Sequence, residues 1–212
     1  MEILGEIANI WRYPVKSLAP QPLEQTAVEP GGLPGDRASA LFVESGHART
    51  GKPYRGKEHN LLHTTADAGY ARELAANRGV SLSVRDEDEH YFDAAPVSIV
   101  FDRWIDEVAR ALDEPMNPLR WRPNFFARSM PGFAYGEAGL TGAVIEAGTC
   151  VLRVRKPIER CVTITYDVQT GEQNDAVLLY VAQKRANTMG IYCDVEVAGT
   201  VRVGDALRLR DR

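Results

Sequence analysis

The chain has 212 residues, 44% hydrophobic and 25% charged, with a formal net charge of −4. That length buries one sizeable core or two small packed ones, and the mild acidic balance excludes a global basic footprint for nucleic acid while leaving room for a local basic pocket. Three widely spaced cysteines, with no CxxC or Cys/His zinc pattern, argue against a secreted disulfide framework and for a reducing cytoplasm.

The start, Met1-Glu2-Ile3-Leu4-Gly5-Glu6, lacks the basic and apolar blocks of a signal peptide. No stretch approaches the roughly 20 apolar residues of a membrane helix. Short strands are predicted over 5–11, 23–28, 38–43, 80–84 and 90–92. Turn residues separate them at Pro30-Gly31-Gly32, Pro34-Gly35-Asp36 and 86–89, the last a charged turn. Thr64 or Thr65 caps a helix running to Asn77, with Gly79 as its stop. A composition shift across 94–98 divides an N-terminal β-rich part, 1–95, from a C-terminal part, 96–212. A second helix begins near Asp102, with Trp104, Ile105, Val108, Ala109 and Leu112 at helical spacing and Pro115 beyond it. Further strands are predicted at 144–145, 151–154, 162–166, 191–197 and 206–209. The stretch 176–185 suits a short helix or a strand, and 199–205 reads as a hairpin that closes a barrel or sheet. The fold class is therefore mainly β with a few helices.

The strongest chemical signal is Arg160-Cys161-Val162-Thr163-Ile164-Thr165-Tyr166-Asp167, followed by Thr170-Gly171. A guanidinium beside a thiol favours the thiolate, the form that attacks or binds metal. Cys161 is open to three roles: a soft metal ligand, a nucleophile or a persulfide carrier. Cys150 and Cys193 lack such neighbours and read as core packing.

Three other clusters stand far from it in sequence. In Tyr13-Pro14-Val15-Lys16-Ser17, proline holds the chain extended and delivers an ammonium and a hydroxyl at a strand end, a combination that binds phosphate. The bland alternative is a surface lysine and a turn serine. Gly35-Asp36-Arg37 is a tight turn delivering an arginine fork, either for a ligand or for a surface Asp–Arg pair of little consequence. Arg122-Pro123-Asn124 lies between Trp121 and Phe125-Phe126. A charge in that apolar setting needs a partner: a structural carboxylate and an anionic ligand read by Asn124 stand level. His47, His59, His63 and His90 form no metal-ligand pattern, because Asn60 stands where a zinc protease keeps its glutamate.

The order YPVKS, GDR, RPN, RC-x-T-x-T-x-D-x-x-TG and a Gly-x-Val-x-Val-Gly-Asp ending resembles the molybdenum cofactor sulfurase C-terminal (MOSC) domain superfamily over nearly the whole chain. It is most similar to the branch with a MOSC N-terminal β-barrel segment, which includes the mitochondrial amidoxime reducing component. The resemblance implies a MOSC-type β-barrel with the N-terminal β-rich segment packed against it, holding a molybdenum–molybdopterin cofactor. It assigns Cys161 as metal ligand and catalytic residue, with Arg160 beside it. Lys16 and Ser17 would hold the phosphate end, and Arg37, Arg122 and Asn124 would line the pterin. The segments Ala38-Ser39-Ala40 and 48–52 depart from the aromatic and TQR-like stretches usual there.

The expectation is a cytoplasmic oxidoreductase that reduces N-oxygenated small molecules. Its electrons would come from a separate protein of Fe–S, flavin or haem type, since the chain has no four-cysteine cluster and no nucleotide fingerprint. No nucleic acid or membrane partner is expected. The alternative is a cofactor or persulfide carrier without turnover. A degenerate domain without cofactor ranks below it, and a pyridoxal phosphate role last.

Overall fold

A computed structural model describes residues 1–55, 63–86 and 91–210. In chain order its first elements are β1 (Glu2–Arg12), β2 (Val15–Lys16), β3 (Gln21–Leu23), β4 (Gln25–Val28), β5 (Ser39–Ser45), α1 (Ala68–Ala76) and β6 (Ser81–Asp86). Then come β7 (Val97–Phe101), α2 (Asp102–Leu112), β8 (Phe125–Ser129), β9 (Val144–Ala147), β10 (Cys150–Glu159), α3 (Asp175–Lys184), β11 (Thr188–Val197), β12 (Gly199–Arg202) and β13 (Ala206–Leu209). The mainly β class with few helices holds. The chain forms two compact units whose segments alternate along the sequence: Met1–Trp11, Pro22–Pro34 and Ala94–Arg212 in one, Arg12–Gln21 and Gly35–Asp93 in the other.

The larger unit is a closed barrel of seven strands, in the order β13-β9-β10-β11-β7-β8-β1, with β1 pairing back onto β13. Closure leaves the ring no open edge. All its pairings are antiparallel except β7 with β8. A parallel pair needs a crossover, and α2 lies in the connection that makes it. The inward residues of β1, Leu4, Ile7 and Ile10, are three apart, which a simple two-residue alternation cannot place on one face. Register slips reconcile them, between Ile3 and Gly5 against β13 and between Ile7 and Asn9 against β8. Val97 to Phe101 are all buried, because α2 covers the outside of a strand whose inside faces the core.

The smaller unit is a three-stranded sheet, β2-β5-β6, with β2 parallel and β6 antiparallel to β5. Helix α1 packs on β6, and Val15, Leu18, Leu41, Ala71 and Leu82 share its core.

Several expectations change. Residues 162–166 are not a strand: Val162–Thr165 is a 3-10 turn. A β-branched run suits a pleated strand only where a partner strand exists, and here side chains take up the turn's carbonyls instead. The 199–205 segment does turn, with Asp205 N–H donating to Arg202 O at 3.1 Å, yet its arms diverge. β12 pairs with β4, because both edges of β13 are occupied by β1 and β9. Helix α1 starts later than Thr65 suggested: Asp67 is its cap, accepting the Tyr70 N–H at 2.6 Å. The ambiguous 176–185 stretch is α3. Strands β7 and β8, at residues 97–101 and 125–129, were not foreseen. Of the 90–92 strand, Tyr91 and Phe92 are irregular and His90 lies outside the described residues, as do His59 and 87–89.

Gly5 sits where β1 slips against its neighbour, and a Cβ there would lie 2.4 Å from the Arg128 carbonyl oxygen. Gly5→Ala should destabilise the barrel by roughly 1–3 kcal/mol, measured as a lowered urea midpoint with an unchanged slope.

Candidate functional site

In the smaller unit the YPVKS and GDR segments are locked together. The Tyr13 N–H donates to Asp36 Oδ1 at 2.7 Å, and the Arg37 N–H donates to the Tyr13 carbonyl at 2.6 Å. Asp36 is only 2% exposed; its second oxygen takes the Arg37 guanidinium, which also lies 4.6 Å from the Tyr13 ring centroid. The Asp–Arg pair is thus an internal clamp. A buried carboxylate is tolerable because a backbone N–H and a cation both satisfy it. Ser17 and Arg37 both have left-handed backbones, with φ of 67° and 48°, which bends the chain sharply at each motif. The Lys16 ammonium lies at one edge, 2.6 Å from the exposed Asp93 carboxylate. An exposed pair of that kind is held weakly, so the ammonium can be recruited by a stronger anion.

In the larger unit RPN and RC are likewise joined. A 3-10 turn spans Pro118–Trp121, capped by Asn117, whose side chain accepts the Leu119 N–H at 2.9 Å. Arg122 ends it with φ of 53°. Asn124 is buried, and its amide is used internally. Its Oδ1 accepts from Ser98 N at 3.1 Å and Ser98 Oγ at 2.9 Å, while its Nδ2 donates to the Trp11 carbonyl at 3.3 Å. That amide ties the end of β1 to the start of β7 and β8.

Arg160 follows β10 directly. Its guanidinium points to backbone carbonyls: Nε to Met189 O at 2.8 Å, Nη1 to Trp121 O at 2.8 Å, and Nη2 to Met189 O. Its own N–H donates to Asn187 O at 2.9 Å. The segment receiving these bonds is bent, with Ala186 and Asn187 at φ of 49° and 60°. Arg185 anchors it: half-buried between Glu107 and Glu137, it shares Glu137 with the Gly190 N–H at 3.3 Å.

Cys161 is exposed and opens the 3-10 turn, its Sγ 3.4 Å from Thr163 Oγ1. A buried arginine that the sequence reading passed over, Arg120, holds the far end of that turn. It is 1% exposed and donates to the Ile164 and Thr165 carbonyls, each at 3.2 Å. It also pairs with Asp167 at 3.2 Å and Glu114 at 3.3 Å. Asp167 receives the N–H groups of Thr170 and Gln169 as well, and these bonds with Arg120 hold its carboxyl below the usual aspartate range. The stabilisation from that shift is complete above the ordinary aspartate pKa and is lost as pH falls through the lowered one.

The other two cysteines are buried in the core. Burial pushes the Cys150 thiol up to about 11 and pushes the Cys193 thiol up as well. Among the described residues no group of three or more His, Cys, Asp or Glu side chains is placed to hold a metal.

Two family models match the chain: the MOSC N-terminal beta barrel domain over residues 4–95 and the MOSC domain over residues 86–208. The chain belongs to the MOSC family. That family is molybdenum-cofactor related. The fold is shared with solved MOSC-type structures. The YuaD protein from Bacillus subtilis is similar at 17% identity and a TM-score of 0.54, covering 97% of this chain and 94% of that one. YiiM from Escherichia coli is similar at 11% identity and a TM-score of 0.50, covering 98% and 70%. A search of curated proteins gives no match. Among the described residues, no helix of this MOSC chain is long and apolar enough to cross a membrane.

Two outcomes follow from this geometry. At pH 8 a charged alkylating reagent should modify one thiol of the native protein, Cys161, and all three only after unfolding, as read by intact mass. Asn124→Ala strands the buried Ser98 donors and should cost about 1–3 kcal/mol of stability, measured by denaturant melt.

Proposed function

We propose that this MOSC chain is a molybdenum-cofactor oxidoreductase that reduces N-oxygenated small molecules, with Cys161 as the protein's sulfur ligand to the metal. The observation that carries the reading is the contrast among the three cysteines. Cys150 and Cys193 are buried in the core, whereas Cys161 is exposed and has no packing duty. Yet its turn is gripped at both ends by arginines, Arg160 before it and Arg120 behind it. A soft sulfur donor suits a metal already bound by sulfur.

The donor chemistry supports an anionic cofactor. Lys16 and Ser17 would hold its phosphate end, Arg37 and Arg122 would line it, and charge-assisted donors favour phosphate over neutral groups. Among the described residues, the buried indole N–H of Trp121, next to Arg122, has no acceptor. Such a donor in a cationic segment is suited to an incoming acceptor. Asn124 contributes differently from the first expectation of a ligand-reading amide. With its amide committed to Ser98 and Trp11, it fixes the backbone that presents Arg122.

When bound, the cofactor supplies a metal that exchanges oxygen and electrons with the substrate. Reducing a hydroxylamine to an amine takes two electrons and two protons and releases water. A separate donor protein of Fe–S, flavin or haem type would deliver the electrons through a weak, charge-guided encounter. This chain's residues bind and orient: Cys161 offers sulfur, Arg160 and Arg120 fix where it stands, and the cationic side chains retain the anionic tail. A reducing cytoplasmic setting fits a protein whose reactive thiol is exposed.

The test is elemental analysis of protein purified from a host that makes the cofactor, alongside Cys161→Ser. The native chain should carry near-stoichiometric molybdenum and reduce hydroxylamine with an artificial electron donor. Cys161→Ser should lose metal and turnover while melting within about 1 kcal/mol of the parent, since an exposed group is exchanged for one of similar size. Full metal and turnover in the variant would overturn the assignment. A metal-free native chain bearing a persulfide on Cys161 would make it a sulfur carrier instead.

A further inference from the structure

Arg120 is an unusual place to keep a charge. The side chain is 1% exposed, and a buried ion pair can often be replaced by apolar packing without loss of stability. Its partners explain its presence better than stability does. Two are backbone carbonyls, Ile164 and Thr165, at the closing end of the turn that Cys161 opens. These are end-of-turn carbonyls, which lack partners within the turn itself. A third is Asp167, whose other oxygen collects the Gln169 and Thr170 N–H groups and so shapes the loop behind the turn. The fourth, Glu114, is shared with the Asn174 amide at 2.6 Å; Asn174 in turn caps α3 and donates its own N–H to Thr165 O.

Arg120 and Trp121 are neighbours in one short turn, and they hold the Cys161 turn from its two sides. The Trp121 carbonyl receives Arg160, just before the cysteine, while the Arg120 guanidinium binds just after it. The segment that carries the thiol is therefore tied, through the Arg160 side chain before it and the Ile164 and Thr165 carbonyls after it, to one short turn of chain. A planar fork can serve two carbonyls and two carboxylates at once, which an ammonium cannot do with the same geometry.

We infer that Arg120 is a positioning residue for the Cys161 sulfur, acting through the Val162–Thr165 turn. This deepens the reading of Cys161 as the metal-binding sulfur and rests on it. Its bonds go to the turn and the loop behind it, so it acts by setting the direction in which the thiol points.

The experiment compares Arg120→Lys and Asp167→Asn with the parent protein, both metal-free and purified from the cofactor-producing host. Three quantities are read: amide exchange, the rate of Cys161 alkylation, and molybdenum per chain. In Arg120→Lys the Ile164 and Tyr166 amides, which close the turn, should exchange about tenfold faster. Amides of the barrel strands at Ile145 and Leu152 should keep parental protection. The alkylation rate should change, and molybdenum content should fall by about half or more. Asp167→Asn should shift the same amides in the same direction by less. Parental exchange at Ile164 and Tyr166 overturns the inference. So does an equal rise in turn and barrel, which would mark a merely structural arginine. If Arg120→Lys does not fold, Asp167→Asn is judged by the same criteria. If the parent itself carries no molybdenum, the functional reading fails, while exchange and alkylation in the metal-free chain still decide whether Arg120 holds the sulfur.

Discussion

Closure of the barrel by β1 is the constraint on which the rest of the larger unit depends. The first strand pairs with β13 on one side and β8 on the other, so an open sheet becomes a ring. Hydrogen bonding alone does not achieve this. The two slips in β1 let Leu4, Ile7 and Ile10 all face inward, and Gly5 allows β8 to approach closely. Once β1 is fixed, its end at Trp11 meets the Asn124 amide and the start of β8. The short turn carrying Arg120 and Trp121 sits just upstream of that junction.

Buried and half-buried cations do the connecting work where strands stop. Arg160 reads two carbonyls, Arg120 reads two carbonyls and two carboxylates, and Arg185 bridges Glu107 and Glu137. In the smaller unit Arg37 has the same character, joined to buried Asp36 and the Tyr13 ring. Removing one partner from such a group is far worse than never burying the pair, and Arg120 and Arg185 each already keep one buried Nε–H without an acceptor among the described residues. The exposed pairs Arg155–Asp194 and Lys156–Glu159 differ in kind: water screens them, and they add little.

Much of this was legible in the chain. Periodicity gave α2 because Trp104, Ile105 and Val108 fall on one face. Turn residues separated β5 from what precedes it. The motif order pointed to the MOSC family. What failed, failed for physical reasons. Val97 to Phe101 is wholly apolar and short, a pattern that does not distinguish buried strand from helix. The 162–166 run has strand composition but no strand to pair with. At the candidate site, its neighbours marked Cys161 as unlike Cys150 and Cys193. The apolar setting marked Arg122 as needing a partner, with Asn124 as a candidate reader of a ligand, but could not show that the Asn124 amide bonds to Ser98 and Trp11. Arg120 carried the same signal as Arg122, a charge amid Leu119, Trp121 and Phe125. Only the fold shows which of the two is buried.

The ring also sets an order of events during synthesis. β1 leaves the ribosome well before its partner β13, from which the whole run of other strands separates it. Until residues 206–209 emerge, one edge of β1 has no mate, so the barrel cannot close before they do. The β2-β5-β6 sheet has no such dependence, since all its strands lie before residue 87. Pairings that span nearly the whole chain fold slowly and leave sticky edges exposed meanwhile. The nascent protein therefore spends its longest vulnerable interval with the Leu4, Ile7 and Ile10 stripe uncovered, which makes that stripe the segment where a chaperone would have most to protect.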